Sequence, residues 1–246
     1  MALNYGPSID TDGLQILLDA ADVNSYPGTG TSWVDMITSI NFDTSFYTYP
    51  SFSSDKRGCF VFINDGSTVN SIYPSSISLN TYNQTRYTRI AAFNASAFSG
   101  AWSPVIQNVI GNNSDMGLTI TDGGKLMYRQ YTNTYTNGTT SGDFGIVSTN
   151  VTLSTNTWYI VAMAVDLPSQ LVYFYINGAL DSVVSIGSVI GNSNSNSIVI
   201  GGAAADSYGG TRMFKGKIAT AFHYNRLLSA KEIQQNYNAQ KSRFGL

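Results

Sequence analysis

Charge is scarce in this 246-residue chain: Asp, Glu, Lys and Arg make up 11% of it, against roughly 25% in an average globular protein. It has a single cysteine, a single histidine and a single glutamate. Cys59 alone excludes an internal disulfide framework and a thiolate metal cage. His223 alone excludes a multi-histidine zinc site. It lies inside an apolar strand directly before Tyr224, a setting that reads as core rather than as a catalytic base. Ser-His-acid and Cys-His catalysis both need an imidazole beside the nucleophile, so neither is expected. Glycoside hydrolysis needs two carboxyl groups about 5 to 9 Å apart, which on one strand stand two residues apart. Asp10 and Asp12 are so spaced, but in the N-terminal lead-in, and Glu232 is claimed by a helix cap. No catalytic residue is assigned; a hydrolase assembled from distant Asp residues ranks last among the readings.

Long apolar runs are also missing, and none reaches the roughly 18 residues that span a bilayer. The N-terminus MALNYGPSID has neither the basic nor the apolar region of a signal peptide. The expectation is a protein made soluble, without membrane insertion. A net charge of −2 provides no basic field for phosphate backbones, so nucleic acid is not expected as a partner. Five Asn-x-Ser/Thr triplets begin at Asn83, Asn94, Asn112, Asn137 and Asn150, a frequency this composition produces by chance.

What is present is apolar and aromatic residue in short alternating runs: 43% hydrophobic and 13% aromatic. The runs are bounded by Gly, Asn, Asp and Ser, which predicts an all-β, two-sheet antiparallel sandwich formed as one domain over residues 1–246. Expected strands are 14–18, 58–63, 87–93, 105–111, 117–121, 125–131, 157–166, 171–177, 179–185, 197–201 and 214–224. Asn177-Gly178 suits a two-residue turn with positive φ at both positions, and Val172, Phe174 and Ile176 form the face to be buried. Asp122-Gly123-Gly124 reads as a second tight turn. One short C-terminal helix follows. Ser229 caps it, Glu232 completes a capping box, Leu228 staples to Ile233, and Ile233 with Tyr237 forms the core-facing stripe.

Recognition residues are sought on loops. Asp19, Asp22 and Asn24 cluster at a strand exit, where turn chemistry is the first reading and calcium is left open without a committed site; no other cofactor is implied. GGAAADSYGG lacks the Lys-Ser/Thr ending of a phosphate loop. Trp102, Tyr131, Tyr135 and Tyr208 lie in polar Asn/Thr/Gly contexts, where a flat ring offers contact area at low entropic cost, and they are the candidate ligand-binding residues.

Three segments resemble the concanavalin A-like, laminin G-like jelly roll of tailed-bacteriophage virion proteins. They are GLQILLDAADVNSYPGTGTSWVDM at 13–36, with Trp33 and Asp35; TWYIVAMAVD paired with LVYFYINGAL, with Trp158, Asn177 and Gly178; and residues 214–246. In the last, Tyr224, Asn225, Arg226, Ser229, Glu232, Ile233 and Tyr237 carry the similarity. These positions resemble fold determinants rather than a site. Residues 64–150 are the least similar, and His223 stands where the family usually has an aliphatic residue. The resemblance implies a non-catalytic virion structural or accessory protein, a capsid decoration or surface knob, made in the host cytoplasm and displayed on the virion surface. Its implied partners are other virion proteins, further copies of itself as a homo-oligomer, and host surface glycans. The alternative is a lectin-like attachment module of a tail or fibre. A domain running from Met1 with no shaft region favours the stand-alone protein.

Overall fold

Alternating runs become strands here because each can bury one face and turn sharply at its polar ends. The computed structural model of the chain describes residues 7–43, 48–65, 70–75, 84–98, 103–110, 113–132, 142–148, 150–186, 197–202 and 213–246. In chain order these contain β1 (Leu14–Asp19), β2 (Trp33–Val34), β3 (Asn41–Asp43), β4 (Ser51–Ser53), β5 (Cys59–Phe62), β6 (Tyr73–Pro74), β7 (Arg86–Ala97) and β8 (Ser103–Ile110). There follow β9 (Asn113–Ile120), β10 (Leu126–Thr132), β11 (Gly142–Val147), β12 (Trp158–Asp166), β13 (Leu171–Ile176), β14 (Ala179–Ser185), β15 (Ser197–Ile200), β16 (Lys215–Tyr224) and helix α1 (Ala230–Phe244). Every expected strand forms, with ends shifted by a few residues. The strands β2, β3, β4, β6 and β11 were not expected.

One sheet runs in the order β14, β13, β12, β7, β16, β5, β4, with β1 also paired to β16. β1 and β5 share that edge of β16 end to end, over Thr220–Tyr224 and Gly216–Ile218 respectively. The facing layer has the order β11, β10, β9, β8, β15. A small β2-β3-β6 sheet continues it through a reciprocal pair of backbone hydrogen bonds between Ile72 and Ile200, each 3.0 Å. Between the layers lies an aromatic core in which Phe62 and Phe93 meet Phe214 edge-on, at 6.0 and 5.8 Å between ring centroids. Edge-on contact suits the ring quadrupole better than a face-to-face sandwich.

The hairpin from Leu171 to Ser185 turns at Asn177 and Gly178, with φ of 50° and 77°, and buries Val172, Phe174 and Ile176. Its opposite face is not simply solvated: Tyr175 is buried too, because α1 lies on the outer surface of the large sheet. Ala92, Ala162, Ala164 and Ala219 belong to the apolar cluster beneath the helix, small enough to let it approach closely. At the helix C-terminus, Arg243 donates to Asp19, to the Lys56 carbonyl and to the Gly58 carbonyl, each at 2.6 Å. β14, the edge strand, is blunted rather than open. Asp181 sits at a bulge opposite Phe174 and Tyr175, and its carboxylate accepts from the Val151 amide at 2.6 Å, a device that discourages edge-to-edge pairing.

Both halves of the capping box form: the Ser229 hydroxyl accepts from the Glu232 amide, and the Glu232 carboxylate accepts from the Ser229 amide. The expected stripe needs correction. The helix buries Ile233, Asn236, Gln240 and Phe244, while Tyr237 is only partly buried and flanks the hairpin turn, where a Cβ on Gly178 would lie 2.7 Å from its ring. The two amides are buried because β16 supplies partners for them. Asn236 Oδ1 accepts from the Tyr224 hydroxyl at 3.0 Å, and Gln240 Oε1 accepts from Thr220 Oγ1 at 2.9 Å. Arg226 links Glu232 at 2.8 Å to Asp10 at 3.1 Å. Its hydrogen bond to Glu232, with those of Ser229, outweighs partial burial and lowers that carboxyl to about 2. A carboxyl lowered on folding stabilises above its unfolded value of 4.5 and loses that contribution as pH falls towards 2. Glu232→Gln is therefore expected to cost about 1 to 2 kcal/mol at pH 7, after discounting for solvent at this partly exposed pair. The penalty should vanish near pH 2 in thermal melts.

Candidate functional site

Strand register gathers a group of polar side chains on the outer face of the large sheet, beyond the helix. Val61 of β5 is opposite Lys217 of β16, Lys217 is opposite Asn94 of β7, and Asn94 is opposite Trp158 of β12. Phe60, Phe62, Phe93 and Ala95 point into the core, so the alternating residues Val61, Ile63, Asn94 and Ser96 point outward. With Asn156, Gly216 and Lys217 they line a cleft of about 470 Å³. β16 is bulged between Lys215 and Gly216. Gly216 has φ of 134°, and a Cβ there would lie 2.2 Å from the Asn94 carbonyl oxygen. Only glycine fits, which lets β16 approach the β7 backbone this closely.

The ionic element of the cleft is already paired. Lys217 Nζ donates to Asp55 Oδ2 at 2.8 Å, a hydrogen bond that raises the lysine and lowers the carboxyl relative to their ordinary values. Asn156 has φ of 57° and is pinned by its amide donating to the Ala95 carbonyl at 2.7 Å. Among the described residues the Asn94, Ser96 and Asn156 side chains have no hydrogen-bond partner, so their amide and hydroxyl groups are available to a ligand.

A second polar group lies on the inner face. His223 is the register partner of Arg89, and both are 1% exposed. The Arg89 guanidinium donates to the Ile106 carbonyl at 3.2 Å and to Asn108 Oδ1, and it lies 5.0 Å from the Tyr87 ring centroid. His223 Nε2 is 2.9 Å from Gln84 Oε1, which assigns the ring proton to that nitrogen. Burial above all, then the Arg89 charge, hold His223 well below its ordinary value. A neutral imidazole sealed in the core cannot exchange protons with a substrate, so it carries structure.

These two groups sit in a two-layer β architecture whose sequence matches, over residues 65–234, the profile described as concanavalin A-like lectin/glucanases superfamily. The chain belongs to the concanavalin A-like lectin/glucanase superfamily. The match takes in all but the first residue of 64–150, the stretch that looked least similar, and does not include the 13–36 segment. No curated protein matches the sequence. Among solved structures, a Trypanosoma rangeli sialidase in complex with the inhibitor DANA is similar at TM-score 0.63 and 14% identity, covering 96% of this chain and 34% of that one. The binding domain of Paraclostridial Mosquitocidal Protein 1 gives 0.66 and 15%, covering 92% and 52%. A botulinum neurotoxin type C structure, whose cell entry depends on two ganglioside molecules, gives 0.64 and 12%, covering 93% and 51%. The chain thus spans a third to half of the length of these proteins, and at such identities the likeness is one of fold.

Within the superfamily scaffold, the residues singled out in the sequence fall into distinct places. Trp102, Tyr135 and Tyr208 lie outside the described residues, as does loop 192–196. Tyr131 is in β10 opposite Asp143, and its side chain is outside the described set. Asp22 Oδ1 accepts from the Asn24 amide at 2.9 Å, and Asp19 Oδ1 from the Ala21 amide at 2.9 Å, which is turn chemistry. Among the described residues no group of three potential metal-binding side chains is found. Trp33 is fully buried, Trp158 packs on Phe244 at 4.9 Å, Tyr224 donates to the Asp10 carbonyl at 2.8 Å, and the Asn225 amide donates to Gly13 at 2.9 Å. Asn94 was noted only as the start of a chance Asn-x-Ser triplet, and Ser96, Asn156 and Lys217 were not singled out. The local signal was the glycine within Lys215-Gly216-Lys217, since an isolated glycine in a strand marks a bulge or a close approach.

Proposed function

We propose that the chain is a non-catalytic binding protein of a tailed-bacteriophage virion, a decoration or knob on the particle surface that attaches to neighbouring virion proteins and to copies of itself. The observation that carries the non-catalytic part is the structural engagement of several acids and of the imidazole among the described residues. Glu232 is held by its cap and Arg226, Asp35 accepts from four groups, Asp166 pairs with Arg86 at 2.9 Å, and His223 is sealed in the core. General acid–base work needs groups free to exchange protons with substrate. The virion setting is supported by the segments at 13–36, 157–180 and 214–246 and by a surface of uncharged polar residues.

The lectin-like reading stands beside it, supported by the cleft on the outer face and by superfamily membership. Co-sedimentation separates the two. Labelled protein is spun with particles of the encoding phage stripped of it, and in parallel with host cells. Saturable binding at a fixed copy number per particle is the expected result. Binding to cells alone, competed by free sugar, would replace the decoration reading with attachment.

A further inference from the structure

The outer-face cleft has the chemistry of a sugar site rather than of an anion site. Lys217, its cation, is committed to Asp55 at 2.8 Å, so the pair is neutral, and the whole chain carries −2. The groups left to a ligand are two primary amides and a hydroxyl, from Asn94, Asn156 and Ser96. Each can both donate and accept, which matches the hydroxyls of a sugar and gives an anion no net charge to bind. Val61 of β5 and the half-exposed Ile63 just past the end of that strand both line the cleft and supply an apolar shoulder for the C–H face of a pyranose.

Size and rigidity agree with this. A volume of about 470 Å³ falls within the range of small-ligand clefts, roughly 300–1,000 Å³. Asn94 and Lys217 are held by the paired strands β7 and β16, and Asn156 by its own backbone hydrogen bond to Ala95. The backbones that carry the polar groups are therefore fixed, and binding has only their side chains to order.

We propose that this cleft is a binding subsite for neutral oligosaccharides, with Asn94, Ser96 and Asn156 as the hydrogen-bonding groups and Ile63 as the apolar contact. The proposal rests on the recognition reading above and does not require the virion setting. Its test is saturation-transfer NMR and calorimetry on the full chain with maltose, cellobiose, lactose and N,N′-diacetylchitobiose, and with sialyllactose as the charged comparison. At least one neutral disaccharide is expected to bind. Asn94→Ala and Asn156→Ala should each weaken it about tenfold, and Ser96→Phe should abolish it by filling the cleft, with thermal unfolding of all three variants unchanged to within a degree or two. No saturable binding by any neutral disaccharide at 10 mM (roughly the weakest affinity worth calling a site), tighter binding of sialyllactose, or neutral-sugar binding untouched by the three variants would each overturn the proposal. The same variants go into the particle co-sedimentation. Loss of sugar with particle binding retained leaves the virion reading intact, and failure of particle binding by the wild-type chain leaves the subsite intact.

Discussion

Below pH 6.5 the protein is expected to lose stability by about 1.4 kcal/mol for every pH unit, and His223→Leu is expected to remove that slope. The folded chain holds His223 neutral, because burial and then the neighbouring Arg89 charge lower its affinity for a proton from the ordinary 6.5. The unfolded chain has no such constraint and binds the proton. With the folded value depressed, the stability is fully present above about 6.5 and declines as pH falls through it, since the unfolded state then binds more protons. The decline continues until the folded chain itself takes up the proton, and each pH unit of it is a sizeable part of the roughly 5 to 15 kcal/mol that holds a domain folded. Glu232 contributes in the same direction only below 4.5, so the interval between pH 4.5 and 6.5 isolates the histidine. Leucine keeps the apolar character of the site and sacrifices the Gln84 contact, at about 1 kcal/mol at pH 7.5. Urea unfolding followed by tryptophan fluorescence at pH 7.5, 6.0 and 5.0 measures both proteins. Parallel slopes would mean that His223 takes up its proton in the folded state and that the core admits water there.

The parts of the molecule that were legible in the sequence are those whose cause is local. Val172, Phe174 and Ile176 alternate with polar or aromatic neighbours because one face of their strand must be buried, and Asn177-Gly178 turns the chain because both tolerate positive φ. The capping box was readable for the same reason, since Ser229 and Glu232 satisfy each other within one turn. The helix stripe was misread where the cause is remote: Asn236 and Gln240 look like surface residues, and only Tyr224 and Thr220 on β16 make their burial affordable. The strands β2, β3 and β6 are two or three residues long, too short to show a period. The cleft was least visible of all, because Val61, Asn94, Asn156 and Lys217 converge only through the register of β5, β16, β7 and β12. A hydrophobic pattern shows which face a residue takes but not which distant strand lies beside it.

Asp35→Ala is expected to destabilise the protein by about 4 kcal/mol, more than truncation of any surface ion pair. The residue is fully buried, and its two oxygens accept four hydrogen bonds. Oδ1 takes the amides of Leu17 at 2.8 Å and Ile37 at 3.2 Å. Oδ2 takes the Thr38 amide at 3.1 Å and the Thr38 hydroxyl at 2.5 Å. The partners belong to two different parts of the fold: Leu17 is on β1 at the edge of the large sheet, whereas Ile37 and Thr38 form the turn that leads to β3. One carboxylate therefore bonds one layer of the sandwich to the other, and removing it strands an amide of each. Asparagine preserves one acceptor and turns an N–H towards donors, so Asp35→Asn should fall between the wild type and alanine, at about 2 kcal/mol. Chemical denaturation measures all three, and a cost below about 1 kcal/mol for alanine would show that water replaces the carboxylate. The same geometry accounts for the Trp-x-Asp spacing. Trp33 packs its ring on Phe60 at 4.8 Å while Asp35, two residues on, receives the β1 amide, so the apolar and polar attachments of the small sheet are made side by side and neither holds the layer alone.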